Sequence, residues 1–227
     1  MISYVPTICV RKLGQMGFKE AFRLQKEAYQ NVLETIYNSS TKFANGYLLL
    51  VEHDPVYTVG IRNKQYIQDE QKLKALGADY IVTDRGGLIT FHGPGQLVCY
   101  PVIYLGNFCA KKSIKWYVRQ LENCVIGTCV DFGLKATLTN DVGIWIDNKK
   151  IAAIGIHASR YITTHGVAIN SNVDLNWFSH IVPCGLVDKD VTSLSEELQR
   201  NVTVEETMPV FLRHFKKHFP CEFLYEN

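Results

Sequence analysis

Twelve consecutive residues, Arg85-Gly86-Gly87-Leu88-Ile89-Thr90-Phe91-His92-Gly93-Pro94-Gly95-Gln96, concentrate four glycines, a proline, an arginine and a histidine between two apolar runs. Glycine lets a backbone reach positive φ and approach another molecule closely, and Pro94 stiffens the exit from the tract. Amides in such a segment can face something other than a neighbouring strand. An ordinary turn needs one or two special residues. A tract with an embedded cation and imidazole is built to meet a ligand.

The other groups with chemical potential point away from metals and disulfides. Seven cysteines, at 9, 99, 109, 124, 129, 184 and 221, form an odd set without regular spacing, and several sit in apolar patterns where a reduced thiol acts as a small hydrophobe. Cys124 and Cys129 lack a second ligand pair at matching spacing, so no structural zinc is expected. His214 and His218 stand at i, i+4 with Cys221 just beyond, and read as the polar face of a helix. A net charge of +2 argues against a nucleic-acid binder that relies on phosphate neutralisation. No apolar run approaches the ~18 residues of a membrane span. Arg11, Lys12 and Lys19 occur before or beside the first acidic residue, Glu20, a faint echo of organelle-targeting composition.

The elements that must position the tract can be read from periodicity. Ile2 to Val10 suits a first strand. Phe18 to Tyr37 places Ala21, Leu24, Ala28, Val32 and Ile36 on one stripe, which predicts an amphipathic helix. Tyr47 to Val51 reads as a buried strand, broken by Asp54-Pro55, and Glu70 to Leu76 as a short helix closed by Gly77. Strands at Tyr80 to Thr83 and Leu97 to Leu105 put the glycine tract at strand ends. Ile114, Tyr117, Val118, Leu121, Val125 and Thr128 recur at helical spacing up to Gly133.

Strands then follow at Ala136 to Leu138, Val142 to Ile146, Ile151 to Ala158 and Gly166 to Val173, with a hairpin turn at Asp147-Asn148-Lys149. Thr203 to Glu206 is a capping box for a last helix in which Phe211, Leu212, Phe215 and Phe219 face inward, and Pro209 predicts a kink or a later start. Helices distributed among strands give an α/β fold on a central mixed β-sheet, as a single domain over residues 1–227.

Three ordered blocks carry a more specific signal. RGGLITFHGPGQLVCYPV, then GIWID leading into KIAAIG, then HIVPCGL resemble the lipoyl(octanoyl) transferase family, and the tail after HIVPCGL is most similar to its animal mitochondrial members. His157 and Cys99 depart from the usual pattern. The resemblance implies the fold of biotin and lipoate protein ligases. It implies transfer of an octanoyl group from octanoyl-acyl carrier protein to a lysine of the lipoyl domains of 2-oxoacid dehydrogenase E2 subunits, or of the glycine-cleavage H protein. No cofactor and no metal are implied, and the setting is mitochondrial, or cytoplasmic were the chain bacterial.

The resemblance assigns Cys184 as the acyl-carrying nucleophile and Lys150 as the base that activates it. Each role has a physical basis. A free thiol is only a few per cent thiolate at neutral pH and needs a base nearby, and Pro183 and Gly185 hold Cys184 in a non-helical loop with backbone amides to spare. Lysine can act as that base when an apolar wall, here suggested by Ile151, Ala152 and Ala153, disfavours its charge. By the same match the acyl slot is lined by Arg85, Gly86, Gly87, Leu88, Ile89, Thr90, Phe91 and His92, by Ala153, Ile154 and Gly155, and by Gly166, Val167 and Ala168. His92 could polarise the thioester, position Cys184, or simply bond to the turn backbone. Three other classes stay open: an ATP-dependent lipoate or biotin ligase, a non-catalytic scaffold for lipoyl domains, and a Cys-His hydrolase using His165 or His180.

Overall fold

A computed structural model describes residues 5–37, 44–62, 64–181 and 190–226. The chain opens with strand β1 (Thr7–Met16), helix α1 (Phe18–Tyr37) and strand β2 (Gly46–His53), and β1 runs parallel to β2. The first strand therefore lies later than the sequence suggested, and residues 1–4 fall outside the described ones. α1 spans the predicted range because its stripe buries Ala21, Ala28 and Val32 together with Phe18 and Gln25. Next come β3 (Val56–Val59), α2 (Glu70–Lys74), β4 (Asp79–Val82) and β5 (Ile89–His92). β5 is the middle third of the glycine tract, so the tract does not merely join strands. It supplies one, in a separate three-stranded sheet ordered β4-β3-β5.

β6 (Gln96–Ile103) is buried along its whole length. α3 (Ile114–Asp131) starts where the Ser113 hydroxyl accepts from the Trp116 amide at 3.2 Å, and the chain turns out of it at Gly133, where φ is +80°. β7 (Ile144–Ile146), β8 (Lys149–Ser159) and β9 (Ile162–Asn170) follow as antiparallel neighbours. The strand expected at Ala136 to Leu138 is reduced to a bridge between Thr137 and Trp145. β10 (Asp190–Val191), α4 (Leu194–Leu198), α5 (Val204–His218) and β11 (Glu222–Glu226) complete the chain. The Thr203 hydroxyl caps α5 by accepting from the Glu206 amide at 3.3 Å, and the helix carries Pro209 inside it instead of starting after it.

The main sheet runs β10-β8-β9-β6-β2-β1-β11, with β7 paired to β8. It is mixed: β1 is parallel to β2 and β11, β10 is parallel to β8, and the remaining pairs are antiparallel. Alternation along β2 and β6 divides the core between the two faces. Leu49, Val51, Val98 and Tyr100 pack under α1 with Ala21, Ala28 and Val32, while Leu48, Leu50, Leu97 and Cys99 pack under α3 and α5 with Leu121, Val125, Phe211 and Phe215. A third cluster secures the small sheet. The Phe91 and Trp177 rings stack at 4.9 Å with 5° between their planes, and the Tyr57 hydroxyl donates to the Trp177 carbonyl at 2.8 Å. Aromatic stacking of this kind adds about 0.5–1.5 kcal/mol beyond area burial, which helps fix the backbone of β5.

Candidate active site

The small sheet and the glycine tract close over the β8-β9-β6 part of the main sheet, and the space between them is a cavity of about 520 Å³. Its floor includes Ala153 on β8, Ala168 on β9 and Val98 on β6, which are consecutive partners in the sheet register. Arg85, Gly86, Gly87, Leu88, Thr90, His92, Ile154, Gly155, Gly166, Val167 and Lys150 also line it, as do Phe18, Tyr100 and His165. Ile89 and Phe91 do not. β5 alternates, so Thr90 and His92 face the cavity while Ile89 and Phe91 point into the aromatic cluster beneath.

Arg85 holds the tract in shape. Its guanidinium donates to the Thr58 carbonyl at 2.6 Å, the Leu88 carbonyl at 2.9 Å and the Gly86 carbonyl at 3.0 Å. A buried cation satisfied by carbonyls in this way acts first as a staple for the loop and only second as a charge on the cavity wall. The glycines have reasons that differ from the expected need for a narrow slot. A Cβ at Gly60 would lie 2.5 Å from the Gly87 carbonyl oxygen, and one at Gly155 would lie 3.1 Å from that of Gly86. These two glycines let the tract settle onto β3 and β8, where the Gly86 amide donates to the Ile156 carbonyl at 2.9 Å. A Cβ at Gly166 would collide with the Cys99 carbonyl oxygen, on the β6 side. Ala153 and Ala168 are the small residues whose size bears on the cavity itself.

Lys150 is 5% exposed, whereas its neighbour Lys149 is exposed. Its Nζ lies 4.8 Å from the centroid of the Trp145 ring, and its stem passes Gly143 so closely that a Cβ there would sit 3.0 Å from Cε. The Lys150 carbonyl accepts from the Thr192 amide at 2.9 Å, and Val191 is its register partner, so the chain that re-enters at Asp190 does so beside Lys150. Cys184 belongs to residues 182–189, outside the described residues, as does the rest of the Pro183-Cys184-Gly185 turn.

Of the buried histidines around the cavity, His92 and His165 were named from the sequence and His53 was not. The His53 ring receives the Tyr100 hydroxyl on Nε2 at 2.7 Å and faces the Met16 carbonyl with Nδ1 at 3.2 Å. Because a carbonyl only accepts, Nδ1 bears the proton, and burial pushes the ring pKa down to about 4. His165 has a left-handed backbone, φ +56°, and its Nε2 is 2.7 Å from Asp84 Oδ1. Burial lowers its pKa although Asp84 pulls the other way. His92 is lowered well below the usual range by burial, with His53 and Arg85 adding to the effect.

Five of the described cysteines, Cys9, Cys99, Cys124, Cys129 and Cys221, are buried and do not resemble nucleophiles. Burial pushes the Cys129 and Cys221 thiols up to about 12 and Cys9 to about 11, and it raises Cys99 and Cys124 as well. His214 meets Asp131 at 2.9 Å instead of pairing with His218 and Cys221, and no cluster suited to a metal occurs among the described residues. Nor is any described helix long and apolar enough to cross a membrane.

The sequence model of the lipoyl protein ligase A/B catalytic domain matches residues 19–216. The chain is 52% identical to octanoyl-(acyl-carrier-protein):protein N-octanoyltransferase LIPT2, mitochondrial, of Danio rerio, across 95% of this chain and 93% of that protein. It is 43% identical to the protein of the same name from Homo sapiens, across 98% and 97% of the two chains. Among solved structures, lipoate-protein ligase A bound with ATP superposes with a TM-score of 0.71 at 18% identity, covering 98% of this chain and 89% of the ligase. At that identity the likeness speaks for the fold alone.

Proposed function

The chain belongs to the lipoyl protein ligase A/B catalytic-domain family, and from that premise we propose how its residues carry out the reaction. It is an acyltransferase that moves an octanoyl group from acyl carrier protein to protein for lipoylation. Residues 1–227 act as one catalytic unit. Cys184 is the nucleophile: its thiolate attacks the octanoyl thioester, a C–S bond to Cys184 forms, and the carrier's thiol leaves. A lysine amine of the acceptor then attacks the acyl-cysteine, forming an amide and returning the thiol. Lys150 takes the proton from the thiol in the first step and from the amine in the second. Exchange of one thioester for another is near neutral and amide formation from a thioester runs downhill, so the sequence needs no nucleotide.

The observation that carries this reading is the placement of Lys150. It is buried in the wall of the cavity, and its own carbonyl holds β10, the strand reached six residues after Cys184. Ile181 and Asp190 bound the intervening segment, and six extended residues reach at most ~20 Å. The octanoyl chain occupies the floor formed by Ala153, Ala168 and Val98, gaining roughly 0.8 kcal/mol per buried methylene. The acceptors are the lipoyl domains of 2-oxoacid dehydrogenase E2 subunits and the glycine-cleavage H protein, and the setting is the mitochondrion, in keeping with the animal relatives. Incubating the protein with octanoyl-acyl carrier protein and a lipoyl domain, with no nucleotide, tests the proposal. Octanoylated lipoyl domain is expected, and transfer that requires ATP and free octanoate would instead make the protein a ligase.

A further inference from the structure

The imidazole of His92 is gripped from behind by a file of amides whose polarity the backbone dictates. At the far end the Thr192 carbonyl accepts from Asn170 Nδ2 at 2.8 Å. That carbonyl can only accept, so Asn170 turns its Oδ1 the other way, where Gln96 Nε2 donates to it at 2.9 Å. The same Nε2 lies 3.3 Å from the Phe91 carbonyl, a second acceptor that fixes the Gln96 amide in one sense. Gln96 Oε1 is left facing His92, 2.7 Å from Nδ1. An amide oxygen cannot donate, so Nδ1 carries the proton. Gln96, Asn170 and His92 are 2%, 4% and 7% exposed, which removes competition from water along the file. A neutral ring protonated on Nδ1 has a lone pair on Nε2, on the edge opposite Gln96.

We propose that Gln96 and Asn170 are positioning residues that hold His92 as its Nδ1–H tautomer, and that the Nε2 lone pair accepts an N–H of the acceptor lysine's amine as it attacks the acyl thioester. Burial keeps the ring neutral, so the lone pair is available at working pH and the imidazole adds no charge of its own against the approaching lysine. This assigns His92 a role opposite to polarising the thioester, because a ring without an Nε2 proton cannot donate to the carbonyl oxygen. The inference rests on the transfer reading above. In the step itself the amine lone pair forms the C–N bond and the C–S pair leaves on sulfur. The proton lost from nitrogen returns to that sulfur by way of Lys150. His92 gains and loses no proton; it aims the nitrogen.

The same file explains how the imidazole keeps register with Lys150. Thr192, which anchors Asn170 through its carbonyl, also donates its amide to the Lys150 carbonyl at 2.9 Å. His165 is no substitute, since its Nε2 proton is given to Asp84 at 2.7 Å.

Ring 15N–1H correlation spectra of the labelled protein test the assignment directly. His92 should show a proton on Nδ1 and none on Nε2, and an Nε2–H in the parent protein overturns the proposal whatever any variant does. In Gln96→Leu the ring should lose that fixed tautomer. Single-turnover kinetics should then separate the two steps, with acyl-enzyme formation from octanoyl-acyl carrier protein within about twofold of the parent and aminolysis by the lipoyl domain about tenfold slower. Equal slowing of both steps, or of neither, overturns the proposal. Should Gln96→Leu fail to fold, the parent spectrum alone decides. A parent protein that forms no acyl-enzyme contradicts the transfer reading instead, a result read separately by intact mass.

Discussion

Replacing Ala153 by leucine should shorten the acyl chain the enzyme prefers. Ala153 is register partner of Ala168, which in turn pairs with Val98, so the three make a continuous strip across the cavity floor. Ala153 takes no part in the packed clusters on either side of the sheet, so its side chain can grow only into the open volume. Leucine carries about three more methylene-sized groups than alanine, and at roughly 0.8 kcal/mol each it should evict about 2.4 kcal/mol of chain burial. That converts to about a 60-fold loss of kcat/KM for the octanoyl substrate, while a butanoyl substrate, too short to reach the strip, should change little. Acyl-enzyme formation measured by intact mass, with carrier protein loaded with four-, six- and eight-carbon chains, reads the ratio directly. Equal losses for all three chains would mean that leucine damages the fold, and an undiminished preference for octanoyl would mean that the chain lies elsewhere.

Lys150→Ala should slow alkylation of Cys184 by iodoacetamide near neutral pH about tenfold, the change expected if the thiol pKa rises by one; unchanged alkylation removes the lysine from thiol activation. Gly166→Ala should cost about 1–3 kcal/mol in chemical denaturation, because the added Cβ collides with the Cys99 carbonyl oxygen on a neighbouring strand that cannot yield easily. Stability should fall as the pH drops from about 6.5 toward 4, since unfolded His53 takes up a proton near 6.5 and folded His53 only near 4. The difference amounts to about 3 kcal/mol at the acid end. His92 and His165, with Arg85 nearby, push in the same direction. His53→Gln should flatten that slope in denaturation curves taken across the range, and an unaltered slope contradicts the buried neutral state.

Local signals made the helices legible. α1 has a clean apolar stripe, α3 has a cap at Ser113 and a stop at Gly133, and α5 has a capping box at Thr203, all properties of neighbouring residues. Strands whose burial depends on distant partners were harder. β3 follows Asp54-Pro55 after a single turn and is only Val56–Val59, and β11 is an exposed edge strand whose pattern lacks an apolar face. The cavity wall was read as one continuous run because the tract looked like a loop. Once Ile89–His92 is a strand, alternation sends every second side chain the other way. The file joining His92, Gln96, Asn170 and Thr192 spans strands far apart in the chain, so no spacing rule could have announced it. Gly155 and Gly166 were read as small residues for a narrow acyl slot and Gly60 was not singled out, yet a Cβ at each of the three would meet the protein's own backbone.

The acyl-enzyme claim meets its most direct test in peptide mapping of the protein after brief exposure to octanoyl-acyl carrier protein without nucleotide or acceptor. One octanoyl group is expected, held as a thioester on the peptide containing Cys184, labile to hydroxylamine and lost in Cys184→Ser. An octanoyl group on any other residue, or an adduct that survives in the serine variant, contradicts the assignment of that sulfur as the nucleophile.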